Sequence, residues 1–557
     1  MDNSTSVHDT YHLLPFGLGA QNDGRRSLLA YAIIAVLVVV LTRAYFSQTK
    51  LPDVPMLKIS KLPGAAGAAE DLARYIKNGA EVMQVGWERY SKKGQHYLMR
   101  TPGFTMLVVA PRLTEEIRSA ADDTLSAVKA NSEFMQFRYT LHKFMETDQY
   151  HNVVVQRQLT QNLGKSIARP NEEPSLLTSL PSGPSLYAIV DEAKGSFKDT
   201  LGTFKVPTDL TMWNLSFDIV TRTANRLLFG PELAKNAEFL RLSVDFSFIM
   251  FGGADMIRTY AEILKPLVLY WKTPMHKTLN LARKHLVPVI EQRIALMQQH
   301  EAVGTMDVWK KEKPNDCIQW VLDVTPLEKR DPQMLVYRML HINIAAVHTS
   351  SVTFLDCIYE LAAHPEIHDE LRQEILTTFA AEGNWSKQGL THLHKMDSFM
   401  RECVRFNPVF SGNLDRIALK DTKLSDGTFV PKGTWVTVPS YPMYMDDDYY
   451  ENAHEFDAFR FSKKREKSGQ ETAFSFVQTS TTYLHFGHGK HACPGRFFAA
   501  NEIKILLVLT LMNYDISLPD PTKKPEPVWF TKARTPSTKG VIRWVSRPEV
   551  PDFARFE

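Results

Sequence analysis

Three histidines and a cysteine fall within eleven positions of the chain, in HFGHGKHACPG from His485 to Gly495. Two kinds of metal chemistry suit such residues. A structural zinc site wants four nitrogen or sulfur ligands in a tetrahedron, usually supplied as two short-range pairs, and Cys493 is the only cysteine nearby. His485, His488 and His491 are spaced by three, but Gly487 and Gly489 between them oppose a helix that would align the imidazoles. The other chemistry needs one thiolate. Pro494 and Gly495 follow Cys493, and after them comes the nearly all-round apolar RFFAANEIKILLVLTLMNY. Proline suits a helix start, which places Cys493 at a helix N-terminus, where free amides and the helix dipole favour a thiolate. A helix that apolar must be buried.

Other residues with chemical potential sit on elements the sequence also marks. Asp331 can cap and Pro332 can open a helix that meets no breaker until His364-Pro365, and its middle, INIAAVHTSS, carries His348 and Thr349. Glu402 and Arg405 stand three apart in MRECVRFNP, on one face of a helix that ends before Pro408. Further amphipathic stretches run over Leu72 to Tyr90, Asn214 to Leu228, His276 to Gln299 and Arg496 to Tyr514. Strand-like runs are short, YLMRTPGFTMLVVA near the start and GTFVPKGTWVTVPS at Gly427 to Ser440. The fold class is therefore mainly α with a smaller β part.

Composition sets the bounds. A chain of 557 residues, 44% hydrophobic and 23% charged, can bury a large cofactor. A formal charge of +3 gives no reason to expect nucleic acid as a partner. The four cysteines, Cys317, Cys357, Cys403 and Cys493, are scattered, so neither a disulfide framework nor a Cys-x-x-Cys knuckle is indicated.

The N-terminus speaks to location. Ser27 to Phe46, SLLAYAIIAVLVVVLTRAYF, is apolar except for Arg43 and is about long enough to span a bilayer. No small-x-small cleavage pattern follows before Leu51, which favours an anchor over a cleaved signal peptide. Arg25 and Arg26 precede it while Arg43, Lys50, Lys58 and Lys61 follow, so the bulk of the chain is expected in the cytosol. The expected organisation is a short lumenal N-terminus over 1–26, an anchor over 27–46, a proline-rich linker over 47–64 and one domain over 65–557. The setting is then the endoplasmic reticulum membrane, crossed once, and Asn3-Ser4-Thr5 becomes a lumenal glycosylation sequon.

A thiolate in a glycine-rich loop before a core helix resembles one known family. Phe486, Gly489, Cys493 and Gly495 match the Phe-x-x-Gly-x-x-x-Cys-x-Gly signature of the cytochromes P450, the haem-thiolate monooxygenases, and other motifs follow over nearly the whole chain. The resemblance implies that fold, with haem b as cofactor and Cys493 as the iron ligand. It implies that Glu402 and Arg405 lock structurally against an arginine, supplied by Arg460 in FDAFRF, where Ala458 and Phe459 replace the usual Pro and Glu. Ala345, Ala346, Val347, His348 and Thr349 are similar to the family's oxygen-binding segment, with His348 where the family has an acid. There the threonine steadies bound dioxygen and the acid helps deliver protons, a task histidine can also perform. For the haem propionates the resemblance points to His491, two before the cysteine, and to Arg416 in NLDRIALKD. Arg157 in YHNVVVQRQLT resembles the family's Trp-x-x-x-Arg helix, with Val153 in the tryptophan position and His151 as a substitute donor or a surface residue.

The function implied is insertion of one oxygen atom into a lipophilic small molecule. No Gly-x-Gly-x-x-Gly opens a strand-helix unit, so electrons are expected from NADPH through a membrane-bound flavoprotein reductase, with SKKREKSG at Ser462 to Gly469 as a docking element or simply a solvated loop. FSFIMFGG, Phe246 to Gly253, falls where the family places access-lining helices. His348-Thr349-Ser350, the QLTQNL run and the extended N-terminus resemble filamentous-fungal members that oxidise terpenoid or polyketide intermediates. Two rivals keep Cys493: a haem-thiolate isomerase or dehydratase, which needs no reductase and often lacks the threonine, and a non-enzymatic haem-binding membrane protein.

Overall fold

The computed structural model describes residues 50–159, 185–470 and 472–556. The expected anchor, the sequon and most of the QLTQNL run lie outside them. Among the described residues no helix is long and apolar enough to cross a membrane.

The architecture is mainly helical with small sheets. Ten helices frame the site: α1 Gly64–Lys77, α2 Gly79–Arg89, α3 Met212–Leu228, α4 Ala237–Ile257, α5 Lys265–Lys272, α6 Met275–Ala302, α7 Pro332–Ala363, α8 His394–Phe406, α9 Arg460–Ser468 and α10 Arg496–Asn513. The single helix expected from Leu72 to Tyr90 is two, because Asn78 leaves helical geometry and its Oδ1 accepts from the Glu81 amide, capping α2. SKKREKSG is not a loop. It forms most of α9, and its Arg465 is buried near Asp397.

The principal sheet contains β1 Tyr97–Thr101, β2 Phe104–Val108, β3 Leu125–Ser126, β5 Asn413–Ala418 and β6 Trp435–Val438. Its order is β1-β2-β6-β5-β3, with only the β2/β6 pair parallel. The expected strand at Gly427 to Ser440 is thus two pieces, β6 and a short strand Phe429–Val430 that pairs with Thr422–Lys423 in a separate hairpin. A second sheet joins β4 Thr208–Thr211, β8 Val541–Ser546 and β7 Tyr514–Ser517, in the order β4-β8-β7. Within the stretch expected as a linker, Leu57 is buried and Pro55 and Leu57 exchange backbone hydrogen bonds with Leu98. An apolar side chain and unpaired backbone groups beside a sheet edge are enough to recruit that segment.

The central element is α7, capped by Asp331 Oδ1 on the Gln333 amide at 2.8 Å and packed by α3, α4, α6, α8 and α10. A buried amide ladder registers three of these helices: Asn343 Nδ2 donates to Asn225 Oδ1 at 3.1 Å, and Asn225 Nδ2 donates to Ser243 Oγ at 3.2 Å. Such ladders fix one arrangement, because any slip strands buried amides. From Leu335 to Ala362, α7 is buried almost throughout. The exceptions form one stripe: His341, Ala346 and His348 are half-buried, and Ala345 and Thr349 are exposed. Open surface in the middle of a core helix means a cavity inside the fold.

Candidate active site

The cysteine loop also keeps accessible surface beside a buried element. Phe486 to Gly495 is half-buried throughout apart from exposed Lys490, although it precedes a helix whose residues from Glu502 to Asn513 are wholly buried. The Cys493 amide donates to the Phe486 carbonyl at 2.7 Å, closing the loop, and Phe486 packs edge-on against Phe476 with ring centres 5.1 Å apart. Gly489 has φ +76°, and a Cβ there would lie 2.6 Å from the Arg118 side chain, so only glycine passes. Gly495 precedes α10. The amides of Gly495 and Arg496 reach the Cys493 sulfur and, with the Arg496 charge, favour its thiolate, but burial is the larger effect and pushes the thiol up. The expected stabilisation of a thiolate by amides at the start of the helix is thus present in direction, but in the chain alone burial outweighs it.

The histidines diverge. His485 is held in an aromatic cluster with Phe476, Tyr483 and Phe486 and pushed down to about 3 by burial. His488 bonds Thr479 at 2.8 Å, and His491 Nε2 bonds Asp122. Among the described residues no group of three histidine, cysteine or acidic side chains could hold a metal between them. That leaves the zinc chemistry without a ligand set.

On α7, the Thr349 hydroxyl donates to the Ala345 carbonyl at 2.7 Å, the resting bond of a helical threonine, from an exposed position on the open stripe. His348 faces a different neighbourhood. Its ring lies 5.9 Å from Phe217, 5.2 Å from Phe248 and 5.0 Å from Phe251, between centres. Burial pushes it down to about 4, and its Nδ1 has no partner among the described residues. It is neutral at pH 7 and carries no spare proton there.

A carboxyl that sequence reasoning passed over does carry one. Glu502 on α10 is pushed up to about 8 by burial and lies beside Ser350, the residue after Thr349, without a well-aligned hydrogen bond between them. The signal was present: it is the one acid in a predominantly apolar helix.

The cations expected for anionic groups fare differently. Arg416 is 3% exposed, its Nη1 donates to the Asp415 carbonyl, and its Nε and Nη2 have no hydrogen-bond partner among the described residues. Its aim follows from an irregularity of β5 between Asn413 and Arg416, where Leu414 takes φ +56°, rare for a branched side chain. Burial lowers the Arg416 pKa, so the guanidinium is a desolvated cation awaiting an anion. His491 has given one nitrogen to Asp122, which burial alone would raise but which Lys490 and His491 together hold low. Arg157 is exposed in Val155–Leu159, two residues from Val155, whose Cγ1 lies 3.7 Å from where a Gly495 Cβ would be. His151 is neither a surface residue nor a free donor: it is fully buried, with both ring nitrogens engaged by His341 and Arg338.

Glu402, Arg405 and Arg460 meet in a sealed cluster. Arg405 holds Glu402 with two bonds of 2.8 and 2.7 Å, and Arg460 Nε lies 3.1 Å from Glu402 Oε1. The remaining guanidinium donors go to the carbonyls of Tyr444, Glu451, Asn452, Ala453 and Glu455. The cluster ties α8 to the segment leading into α9, and the Glu402 and Arg405 side chains are fully buried in it.

A thiol with amide donors, accessible surface in the middle of the core helix α7, and a sealed-in arginine with unused donors fit a flat, anionic, metal-bearing cofactor such as haem. Comparisons with known proteins agree. The family model described as Cytochrome P450 matches residues 174–542, more than half of the chain. Cytochrome P450 monooxygenase 151 of Postia placenta is 32% identical over 482 residues, covering 85% of this chain and 90% of its own. Cytochrome P450 monooxygenase olcJ of Penicillium canescens is 31% identical over 81% of each chain. Cytochrome P450 monooxygenase 103 of Postia placenta is 29% identical over 93% of this chain and 98% of its own.

Proposed function

Because the chain belongs to the cytochrome P450 family, whose members are oxygen-incorporating oxidoreductases, we propose that it hydroxylates a lipophilic terpenoid or polyketide-type intermediate of secondary metabolism. The observation that carries this reading is the half-buried Cys493 loop at the head of α10, which packs on α7, the core helix whose middle carries an exposed stripe. Electrons come from NADPH through a membrane-bound flavoprotein reductase.

In this reading Cys493 holds the iron, the Gly495 and Arg496 amides temper the charge on its sulfur, and Arg416 takes a propionate with its two unused donors. His491 adds a second propionate donor only through its remaining nitrogen, and Arg157 reaches the same edge by turning in from the surface. The haem, when bound, supplies activation of dioxygen and transfer of one oxygen atom to the substrate. Thr349 exchanges its bond to Ala345 for one directed into the cavity and there holds a proton donor in place. Of the titratable groups beside it, Glu502 retains a proton at pH 7 and His348 does not. His348 contributes a neutral ring that closes the apolar wall and passes a proton on only transiently. Phe217, Phe248 and Phe251 exclude water from that wall.

Membrane residence at the endoplasmic reticulum is part of the proposal. Supporting it, α5 and the residue pair before it expose Ile263 at 82% and Trp271 at 78%, with Leu267 and Tyr270 between them and Lys272 alongside, the composition of a surface that dips into a headgroup layer. For the reductase, the outer face of α9 offers Lys463 and Lys467, although Lys463 already pairs with Asp457.

The deciding experiment is the difference spectrum of the reduced, carbon-monoxide-bound protein in microsomes, beside Cys493→Ser. A strongly red-shifted Soret band that disappears in the variant supports the reading; a histidine-type band, or none, overturns it. Product formation that proceeds without NADPH would instead indicate a haem-thiolate isomerase or dehydratase.

A further inference from the structure

The open stripe of α7 ends in a histidine that the proposed chemistry does not use. His341 stands eight residues before Thr349 on the face that carries Ala345, so the two lie about 12 Å apart along the axis. Its Nδ1 is 2.7 Å from His151 Nε2, and His151 Nδ1 is 3.2 Å from Arg338 Nη1. These contacts fix every proton. A guanidinium donates and never accepts, so His151 Nδ1 is the acceptor from Arg338. A neutral imidazole that accepts at Nδ1 carries its hydrogen on Nε2, so His151 donates to His341 Nδ1. By the same rule His341 carries its hydrogen on Nε2.

Both rings are neutral at pH 7. Burial, the largest cause, pushes His151 down to about 2 and His341 to about 4, with the Arg338 charge acting on both in the same direction. The charged end of the chain is firmly anchored: Arg338 donates to the Asp148 carboxylate at 2.9 Å and to its carbonyl at 2.5 Å, and lies 3.8 Å from the Tyr150 ring centre and 4.6 Å from that of Phe144. The other end is open. His341 Nε2 has no hydrogen-bond partner among the described residues and is not one of the sealed-in polar atoms; the ring is half-buried and meets Phe137 edge-on at 4.9 Å. A directional donor thus stands at half-buried surface on the open stripe of α7, beside the Phe137 ring.

We propose that His341 is a substrate-positioning residue whose Nε2–H, oriented by Arg338 and His151, binds a carbonyl, ether or hydroxyl oxygen on an otherwise hydrocarbon substrate. The inference rests on the proposed monooxygenase function and narrows it: the enzyme acts late enough in a sequence that an earlier reaction has already placed oxygen on the skeleton. The bond anchors one end of the molecule and determines which carbon comes to lie by Thr349. A donor buried in apolar surroundings rejects a partner that leaves it unpaired, so discrimination comes from the oxygen and not from bulk.

The test uses the full-length holoenzyme and two rigid tetracyclic probes, androst-4-ene-3,17-dione and the oxygen-free 5α-androstane, with dissociation constants read from the optical shift of the haem on titration. The dione is expected to bind about tenfold more tightly. His341→Leu should abolish that preference, and His341→Gln, which retains an N–H, should restore most of it. A preference that survives in His341→Leu, or is absent from the parent enzyme, overturns the inference. Nitrogen-15 histidine spectra of the parent enzyme give a second reading that needs no variant: a hydrogen on His341 Nδ1 overturns the inference as well. The carbon-monoxide spectrum of the same samples separates the two levels, since a missing red-shifted band refutes the proposed function, whereas an intact band without dione preference refutes only the role of His341.

Discussion

Two buried arginine clusters differ in whether their donors are used. Around Glu402, the guanidiniums of Arg405 and Arg460 find a carboxylate and five backbone carbonyls, and no atom of the cluster is left over. Around Arg416, one donor meets a neighbouring carbonyl and two nitrogens find no hydrogen-bond partner among the described residues. Both sites exclude water, so the difference is energetic: the first is complete within the chain, and the second stores the cost of a desolvated cation until an anion arrives. The completed cluster holds the fold together, and in the proposed reading the incomplete one at Arg416 is where the anionic edge of the cofactor binds.

The sharpest test is to make the complete cluster incomplete. Glu402→Ala leaves two buried guanidiniums without their carboxylate, at a cost of about 3–5 kcal/mol, a large part of the stability of most domains. Denaturant unfolding and the yield of folded protein should both show it. A variant within about 1 kcal/mol of the parent would break the comparison, because the cluster would then be dispensable.

Local features of the chain made much of this legible in advance. Cys493-Pro494-Gly495 ahead of an apolar run, and Asp331-Pro332 set against His364-Pro365, are decided within a few residues, and the start of α10 and both ends of α7 fall at those signals. What the sequence hid depends on distant partners. His151 could be read as a surface residue because His341 is 190 positions away. His491 could be assigned wholly to a propionate because nothing nearby in sequence announces Asp122. The aim of Arg416 depends on the positive φ of Leu414, which no propensity predicts for leucine. Glu502 has meaning only beside Ser350, across a helix contact.

Glu502 gives a second, smaller test. Its carboxyl is raised from an ordinary 4.5 to about 8 by burial, so the folded state binds its proton more tightly than the unfolded chain does. The stability it permits is fully present below about pH 4.5 and is lost as pH rises toward 8. Glu502→Gln removes a titration and keeps the shape. The variant should therefore be more stable than the parent at pH 8, by up to a few kcal/mol, and the two should converge near pH 5. Melting curves at three pH values check it, and parallel curves would show that the carboxyl finds a partner on folding.

The smallest effect is the most discriminating, because its sign reverses with the ligand. Arg416→Met removes a guanidinium with two idle donors and leaves an apolar side chain of similar length in a buried strand. In protein stripped of cofactor, nothing loses a good partner except the Asp415 carbonyl, so stability should hold or rise slightly. In the haem-loaded protein the same change deletes a charge-assisted contact to a propionate, and retention of haem should fall about tenfold, equivalent to about 1.4 kcal/mol. The two readings, thermal unfolding without haem and transfer of haem to a scavenger, are expected to move in opposite directions. A loss in both would mean that Arg416 belongs with Glu402 among the groups that hold the fold, and the distinction between complete and incomplete clusters would no longer locate the site.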